Sequence, residues 1–309
     1  MNVLLTGATG VVGRRVVPLL IAQGHRVTAV ARSAGKRTQL EHAGATPIAL
    51  ELFDCNAAQR AMAGHDAVIN LATHIPFSSA RMMLRRAWRE NDCIRRDGSA
   101  ALVGAALDSG VRRFIQESFA PIYADGGDAW LDERSPVDPA PYNRTVLDAE
   151  RNTERMSAAG GVGVALRFGY FYDTDSMLVT DLLRSLRSGW FGLPGAAHAF
   201  ISSVTHGDAA TAVVAALGAR SGIYNVVDDE PLRRRDFANA LAGAFGRKNP
   251  RMPPAWLSRI GGSTIGLLSR SQRIANRKFR GETGWVPCFP SAREGWRAIA
   301  TELGSRSSL

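Results

Sequence analysis

The sequence predicts a doubly wound α/β fold: a parallel sheet with helices on both faces. Three observations carry this. Short apolar runs alternate with helical patterns through the first half of the chain. Strand-like runs such as "AVINLA" are apolar almost without a break, as a sheet covered on both faces requires. The first run, "NVLLTG", passes through a glycine-punctuated turn directly into a helical pattern.

In order, "NVLLTG" reads as a strand and "VVGRRVVPLLIAQG" as a helix stopped at Gly24. "HRVTAVAR" is a second strand, "KRTQLEHAG" a helix and "ATPIALELFD" a third strand. After the helical "AAQRAMAG" come the strand "HDAVINLAT", a long helix ending "ALVGAALDSG", and the strand "VRRFIQESF". Residues 121–141 are rich in Pro, Gly and Asp and read as a long loop, with Asp128, Trp130 and Glu133 as candidate lid residues. A helix is expected over about 142–159, then strands at "VGVALRFGYFY" and "GIYNVVDD". This assigns 1–170 to the sheet domain, with a returning strand near 198–228, and 171–197 with 229–309 to a smaller lobe over the sheet's carboxyl edge.

Of 309 residues, 45% are hydrophobic and 21% charged, the balance of a soluble globular chain. No run approaches the roughly 18 apolar residues of a membrane span. The N-terminus has no basic leader, and Cys55, Cys93 and Cys288 have neither zinc spacing nor the look of a disulfide framework, so a cytoplasmic protein without a metal is expected. The net charge of +10 raises nucleic acid as a partner, but only three of the 38 basic residues are lysines, a composition bias. The densest cluster, "RMMLRRAWRENDCIRR", carries a single aromatic residue, Trp88, and so lacks the repeated interleaving aromatics that a single-strand binder would need. At helical spacing Arg81, Arg85 and Arg89 share one face, and Met83, Ala87, Asn91 and Ile94 another, with the arginines a solvated or subunit-contact face.

"TGATGVVG" sets Gly7, Gly10 and Gly13 at three-residue intervals between the first strand and its helix. Gly7 permits the tight turn, Gly10 lets backbone N–H groups of the Thr9, Val11 and Val12 stretch approach a pyrophosphate, and Gly13 lets helix pack on strand. The helix N-terminus then faces the phosphate charge. The pattern is that of a Rossmann dinucleotide site. The second strand ends in Arg32 and Ser33, with Lys36 and Arg37 behind and no acid, which suits the 2′-phosphate of NADP better than the free hydroxyl of NAD. NAD is the second choice. Asp54 is placed to touch the adenine or to cap a helix.

The chain resembles the extended or atypical short-chain dehydrogenases/reductases of NAD(P)-dependent epimerase/dehydratase type. "TGATGVVG" resembles their TGxxGxxG loop. "NLAT", with Leu71, Ala72 and Thr73, resembles the fourth-strand segment beside the cofactor, and Asn91 with "GSAALVGAALDSGVRRFI" resembles the long helix and fifth strand. "LRFGYFYD", "SVTHGDAATAV" and "GIYNVVDDEP" resemble later family segments, so the likeness runs from about 2 to 298. It implies a small-molecule substrate and allows a homodimer.

The likeness fails at the reacting centre. Four residues before Tyr123, where the family has Ser or Thr, stands Phe119, and Ser118 lies one earlier. The family's Tyr-xxx-Lys becomes Tyr142 followed by Val146. A tyrosine of ordinary pKa, about 10, loses the cation that would favour its phenolate. Tyr142 and Ser118 are the catalytic candidates. His74, Tyr123, Asp125 and Trp130 are substrate candidates, with Glu117 a further acid, because they lie at or beyond strand ends where this fold binds ligands. The expected function is an NADP-preferring oxidoreductase, epimerase or dehydratase-like enzyme acting on a small polar substrate. The alternatives are a silent nucleotide-binding redox sensor and a redox-neutral isomerase or cyclase.

Overall fold

The computed structural model describes residues 1–76, 79–82, 84–254 and 262–307. Seven parallel strands form the central sheet: β1 (Asn2–Thr6), β2 (Arg26–Val30), β3 (Thr46–Ile48), β4 (Ala67–Asn70), β5 (Arg113–Phe119), β7 (Val162–Phe168) and β11 (Gly222–Val226), in the order β11-β7-β5-β4-β1-β2-β3. The order reverses between β1 and β4, the switch point where open α/β sheets bind ligands.

Helices α1 (Gly13–Ala22), α2 (Ala34–His42) and α9 (His206–Ala215) contribute to the core on one face, where Val3, Leu5 and Ile115 meet Val16, Leu20, Leu40 and Val213. On the other face Leu4, Val68 and Phe114 pack with Met62 of α3 (Cys55–Met62), Leu102 of α6 (Ser99–Asp108) and Met156 of α7 (Val146–Ala158). Adjacent strand residues thus bury into opposite layers, which explains the unbroken apolar runs.

A second core joins Leu182 of α8 (Met177–Arg187), Phe237 and Leu241 of α10 (Arg234–Ala244), and Trp296 of the last helix (Ala292–Ser307) with Tyr172. Two-residue strands surround it: β8 (Tyr170–Phe171) pairs with β10 (Ser203–Val204), and β9 (Phe200–Ile201) with β12 (Leu232–Arg233). Phe279 and Trp285, late in the chain, pack instead on the sheet's first core beside Tyr224. No helix among the described residues is long and apolar enough to cross a membrane.

Two expectations need correction. The arginine-rich segment is not one helix. α4 (Ser79–Met82) ends before an extended Leu84 at φ −96°, ψ 109°, and a 3-10 turn at Arg85–Trp88 leads into α5 (Arg89–Cys93). Arg81 is therefore off the face of Arg85 and Arg89, and Met83 lies outside the described residues. The long loop is not a free lid either. Its β6 (Trp130–Leu131) pairs with β13 (Arg273–Ile274). Asp128 is paired with Arg233, Asp138 with Arg270, and Glu133 accepts from the Asn225 N–H at 2.8 Å.

Candidate active site

The glycine loop closes tightly against its neighbours. A Cβ on Gly7 (φ +68°) would stand 2.4 Å from the Leu71 carbonyl and 2.8 Å from the Ala72 nitrogen, and one on Gly13 2.2 Å from the Gly7 oxygen. Those positions admit only hydrogen. Gly10 differs: it is exposed, and a Cβ there would meet only the Gly7 oxygen, at 3.2 Å. Its N–H bonds that oxygen at 2.9 Å and its carbonyl accepts from Arg14. The next two N–H groups, of Val11 and Val12, have no acceptor among the described residues, and no acid stands in the first turn of α1. A helix N-terminus with orphan donors and no anion fits a pyrophosphate.

Arg14 and Arg15 of that turn are ion-paired with Asp175, and Asp175 lies 2.7 Å from His206 Nδ1. Asp173, Asp175 and His206 could together hold a metal ion by residue type. The two arginines already neutralise the carboxylates, so the cluster reads as a clasp between α1, the loop after β8, and α9. Burial lowers the His206 pKa to about 4, with the attraction of Asp173 outweighed, and Arg15 and Arg14 lower it further.

Arg32, Ser33 and Lys36 are exposed at the end of β2, where a 2′-phosphate would lie. Asp54 caps α3, accepting from Ala57 N at 2.9 Å. Leu71, Ala72 and Thr73 are half-buried along the strand-four edge. Asn91 is fully buried: its Oδ1 accepts from the His74 N–H at 2.9 Å, and its Nδ2 is an orphan donor. The exposed His74 ring stands 3.2 Å from Glu90.

Tyr142 lies in a turn before α7, not on the helix, since Val146 N bonds Asn143 O and opens the first turn. Its ring is buried with Trp88 at 4.7 Å between centroids, beside Ala140 and Leu267, with half-buried Phe119 against the group. Burial pushes its phenol far above the ordinary value; nearby Tyr170 adds to this, and Arg95 and Arg270 offset part. Its hydroxyl makes no hydrogen bond among the described residues. Val146, four residues on, is fully buried hydrocarbon.

Ser118 and Tyr123 are both held in the core. Ser118 is 1% exposed and donates to Glu150 at 2.6 Å, and Glu150 is held bidentately by Arg167. The Tyr123 hydroxyl donates to Asn225 and accepts from Arg167, each at 2.8 Å, inside the core. Strand alternation sends Ser118 towards α7 and leaves Phe119 beside Tyr142. Glu117 is paired with buried Arg95 at 2.9 Å. Asp125 accepts from the Gly127 and Ser271 N–H groups, and Trp130 lies under Arg273 and Arg277 on the lobe surface. None of these five makes a hydrogen bond or ring contact with Tyr142 among the described residues. Trp88 and Tyr170 were missed by the sequence reading; their only signal was aromatic rings spaced along segments assigned to helix and strand.

Two cavities lie elsewhere. One of about 740 Å³ opens on the lobe between α10 and the last helix, lined by Asp236, Asn239, Arg293 and Arg297. One of about 250 Å³ lies by Glu133, Glu150 and Lys278. Neither is lined by the glycine loop or Tyr142.

A family model described as NAD(P)H-binding matches residues 7–177. A 3-diazoavenalumate denitrifying reductase from a Streptomyces species is 31% identical, over 96% of this chain and 99% of its own. A ketoreductase of 4-hydroxy-2-methyl-3-oxo-4-farnesyl-3,4-dihydroquinoline-1-oxide from Stigmatella aurantiaca is 26% identical, over 80% and 74%. A human epimerase family protein solved with NADPH superposes with a TM-score of 0.76 at 22% identity, covering 97% and 99%.

Proposed function

The chain belongs to the NAD(P)H-binding short-chain dehydrogenases/reductases of epimerase/dehydratase type and is an oxidoreductase, and on that premise we propose an NADP-preferring reductase of small molecules whose reacting end is apolar or aromatic. The single observation supporting this is the packing around Tyr142, which is buried beside Phe119 with buried Val146 four residues on, at the positions where the resemblance implies a hydroxyl and a lysine. Gly7, Gly10, Gly13, Val11, Val12 and Asn91 would hold the dinucleotide, with Arg32 and Ser33 at its 2′-phosphate. Bound in its reduced form, it supplies two electrons to the substrate as hydride.

Tyr142 stays a neutral phenol at any physiological pH, because burial raises its pKa. It is therefore unsuited to removing a proton from an alcohol, the step an oxidation or epimerisation begins with. It is suited to donating a hydrogen bond or proton to an oxygen that gains charge during reduction. Trp88, Phe119 and Leu267 exclude water around it. A narrower reading is favoured by the same two replacements: an acceptor that expels dinitrogen as it is reduced needs no tyrosine–lysine relay, and the Streptomyces relative is a denitrifying reductase.

The test is NADPH oxidation against a panel of aromatic ketones and aryl diazonium salts. Tyr142→Phe should slow ketone reduction by about 100-fold, within the range of general acid catalysis, and leave NADPH affinity unchanged. It should barely slow diazonium reduction. Oxidation of alcohols by NADP at rates above ketone reduction at neutral pH would sink the neutral-donor assignment.

A further inference from the structure

On the Tyr170 side of the site stands a buried cation that makes no ion pair among the described residues. Arg234 opens α10 and is 1% exposed. Its Nη2 donates to the carbonyl oxygens of Leu268 and Arg270, at the end of the helix Gly262–Ser269. Its Nε is buried without an acceptor, and Nη1 makes no hydrogen bond among the described residues. No carboxylate lies within ion-pair distance of it among them. Gly195, at φ +114°, makes room: a Cβ there would stand 2.7 Å from Nε.

The neighbouring strands bring Arg234 towards Tyr170. Arg233 is opposite Phe200 in one short pair, Ser203 is opposite Tyr170 in the other, and residues 200–204 run between them. The Tyr170 hydroxyl is likewise buried and unpartnered, and its ring meets Phe119 edge-on at 6.0 Å. Tyr170 and Arg234 feel each other's charge, and Asp125, the acid felt next at Arg234, is spent on two backbone N–H groups. Tyr170 thus lies one side chain from the Tyr142 pocket, through Phe119, and Arg234 lies beyond it, so that two orphaned donors, one of them cationic, stand on that side of the pocket. Leaving a charged group buried and unpaired costs several kcal/mol, so such a site is completed by an anion.

We propose that Arg234 and Tyr170 form a subsite for the carboxylate of an aromatic acid substrate. A carboxylate is favoured over a phosphate dianion because a single guanidinium balances a single charge. This deepens the reductase reading and rests on it for the substrate's position, but binding can be measured without turnover.

The experiment is titration calorimetry of the protein saturated with NADP, using trans-cinnamate, its neutral amide and phenyl phosphate. Wild type should bind cinnamate at least ten times more tightly than the amide and no less tightly than phenyl phosphate. Arg234→Met should erase that preference, Arg234→Lys should keep part of it, and Tyr170→Phe should reduce it. Arg235→Met, which removes an exposed charge one residue away, should retain it. Should Arg234→Met fail to fold, Arg234→Lys and Tyr170→Phe carry the comparison. Equal binding of cinnamate and amide by wild type, absence of both, tighter phenyl phosphate, or an undiminished preference in every Arg234 and Tyr170 variant that folds would overturn the subsite. Failure of NADP to bind would overturn the reductase reading instead, and the same titrations on the free protein would still judge the subsite.

Discussion

His206 shows how a single side chain can tie the nucleotide loop to the rest of the sheet. It is 2% exposed, and its Nδ1 meets Asp175, which in turn holds both arginines of α1's first turn. In the unfolded chain a histidine takes up its proton near pH 6.5, but in the fold His206 stays neutral down to about 4. Between those values the unfolded state binds more protons. Stability from this residue is therefore complete above pH 6.5 and drains away as pH falls through about 4. At about 1.36 kcal/mol per unit the loss is on the order of 3 kcal/mol. Urea denaturation at steps from pH 7 to pH 4 should show that fall in wild type and a shallower one in His206→Asn. Parallel curves would remove His206 from the account.

Elements placed residues that no periodicity could. At the end of β5, Gln116 joins Asn70 and Ser118 joins Glu150, while Phe119 turns to the pocket. The strand itself was legible as an apolar run after Gly110; which side its last polar residues face was not, because that depends on the register with β7 and on what α7 presents. The glycine loop was legible because backbone contacts leave room only for hydrogen at Gly7 and Gly13. The break at Leu84 was not, since the arginine and apolar spacing around it also suits a helix. The internal network gives a prediction at this scale. Arg167 and Glu150 are each 4% exposed at the side chain and 2.7 Å apart, between β7 and α7. Arg167→Met leaves a buried carboxylate without its cation and the Tyr123 hydroxyl short of a donor. It should cost about 3–5 kcal/mol in urea denaturation, with Glu150→Gln added in the same chain recovering part. A loss below about 1 kcal/mol would show the pair to be dispensable.

For the whole molecule, the question is what a net charge of +10 does to a polyanionic cofactor. At about 0.1 M salt, fields decay over roughly 10 Å, so most of the excess charge is felt only as weak steering. What distinguishes NADPH from NADH is one phosphate, and the cations able to sense it are those within reach of the end of β2. Arg32 and Lys36 are exposed there, and neither the Arg32 nor the Ser33 side chain makes a hydrogen bond or ion pair among the described residues. NADPH affinity should consequently fall more steeply with salt than NADH affinity when both are measured by fluorescence titration from 50 to 500 mM. A hydrogen bond to a charged group contributes about 1.5–3 kcal/mol, so Arg32→Ala should weaken NADPH by about 10- to 100-fold. The same substitution should leave NADH nearly untouched and bring the two salt slopes together. Identical slopes in wild type, or equal losses for both cofactors in the variant, would mean that the basic character belongs to the composition of the chain and not to its cofactor site.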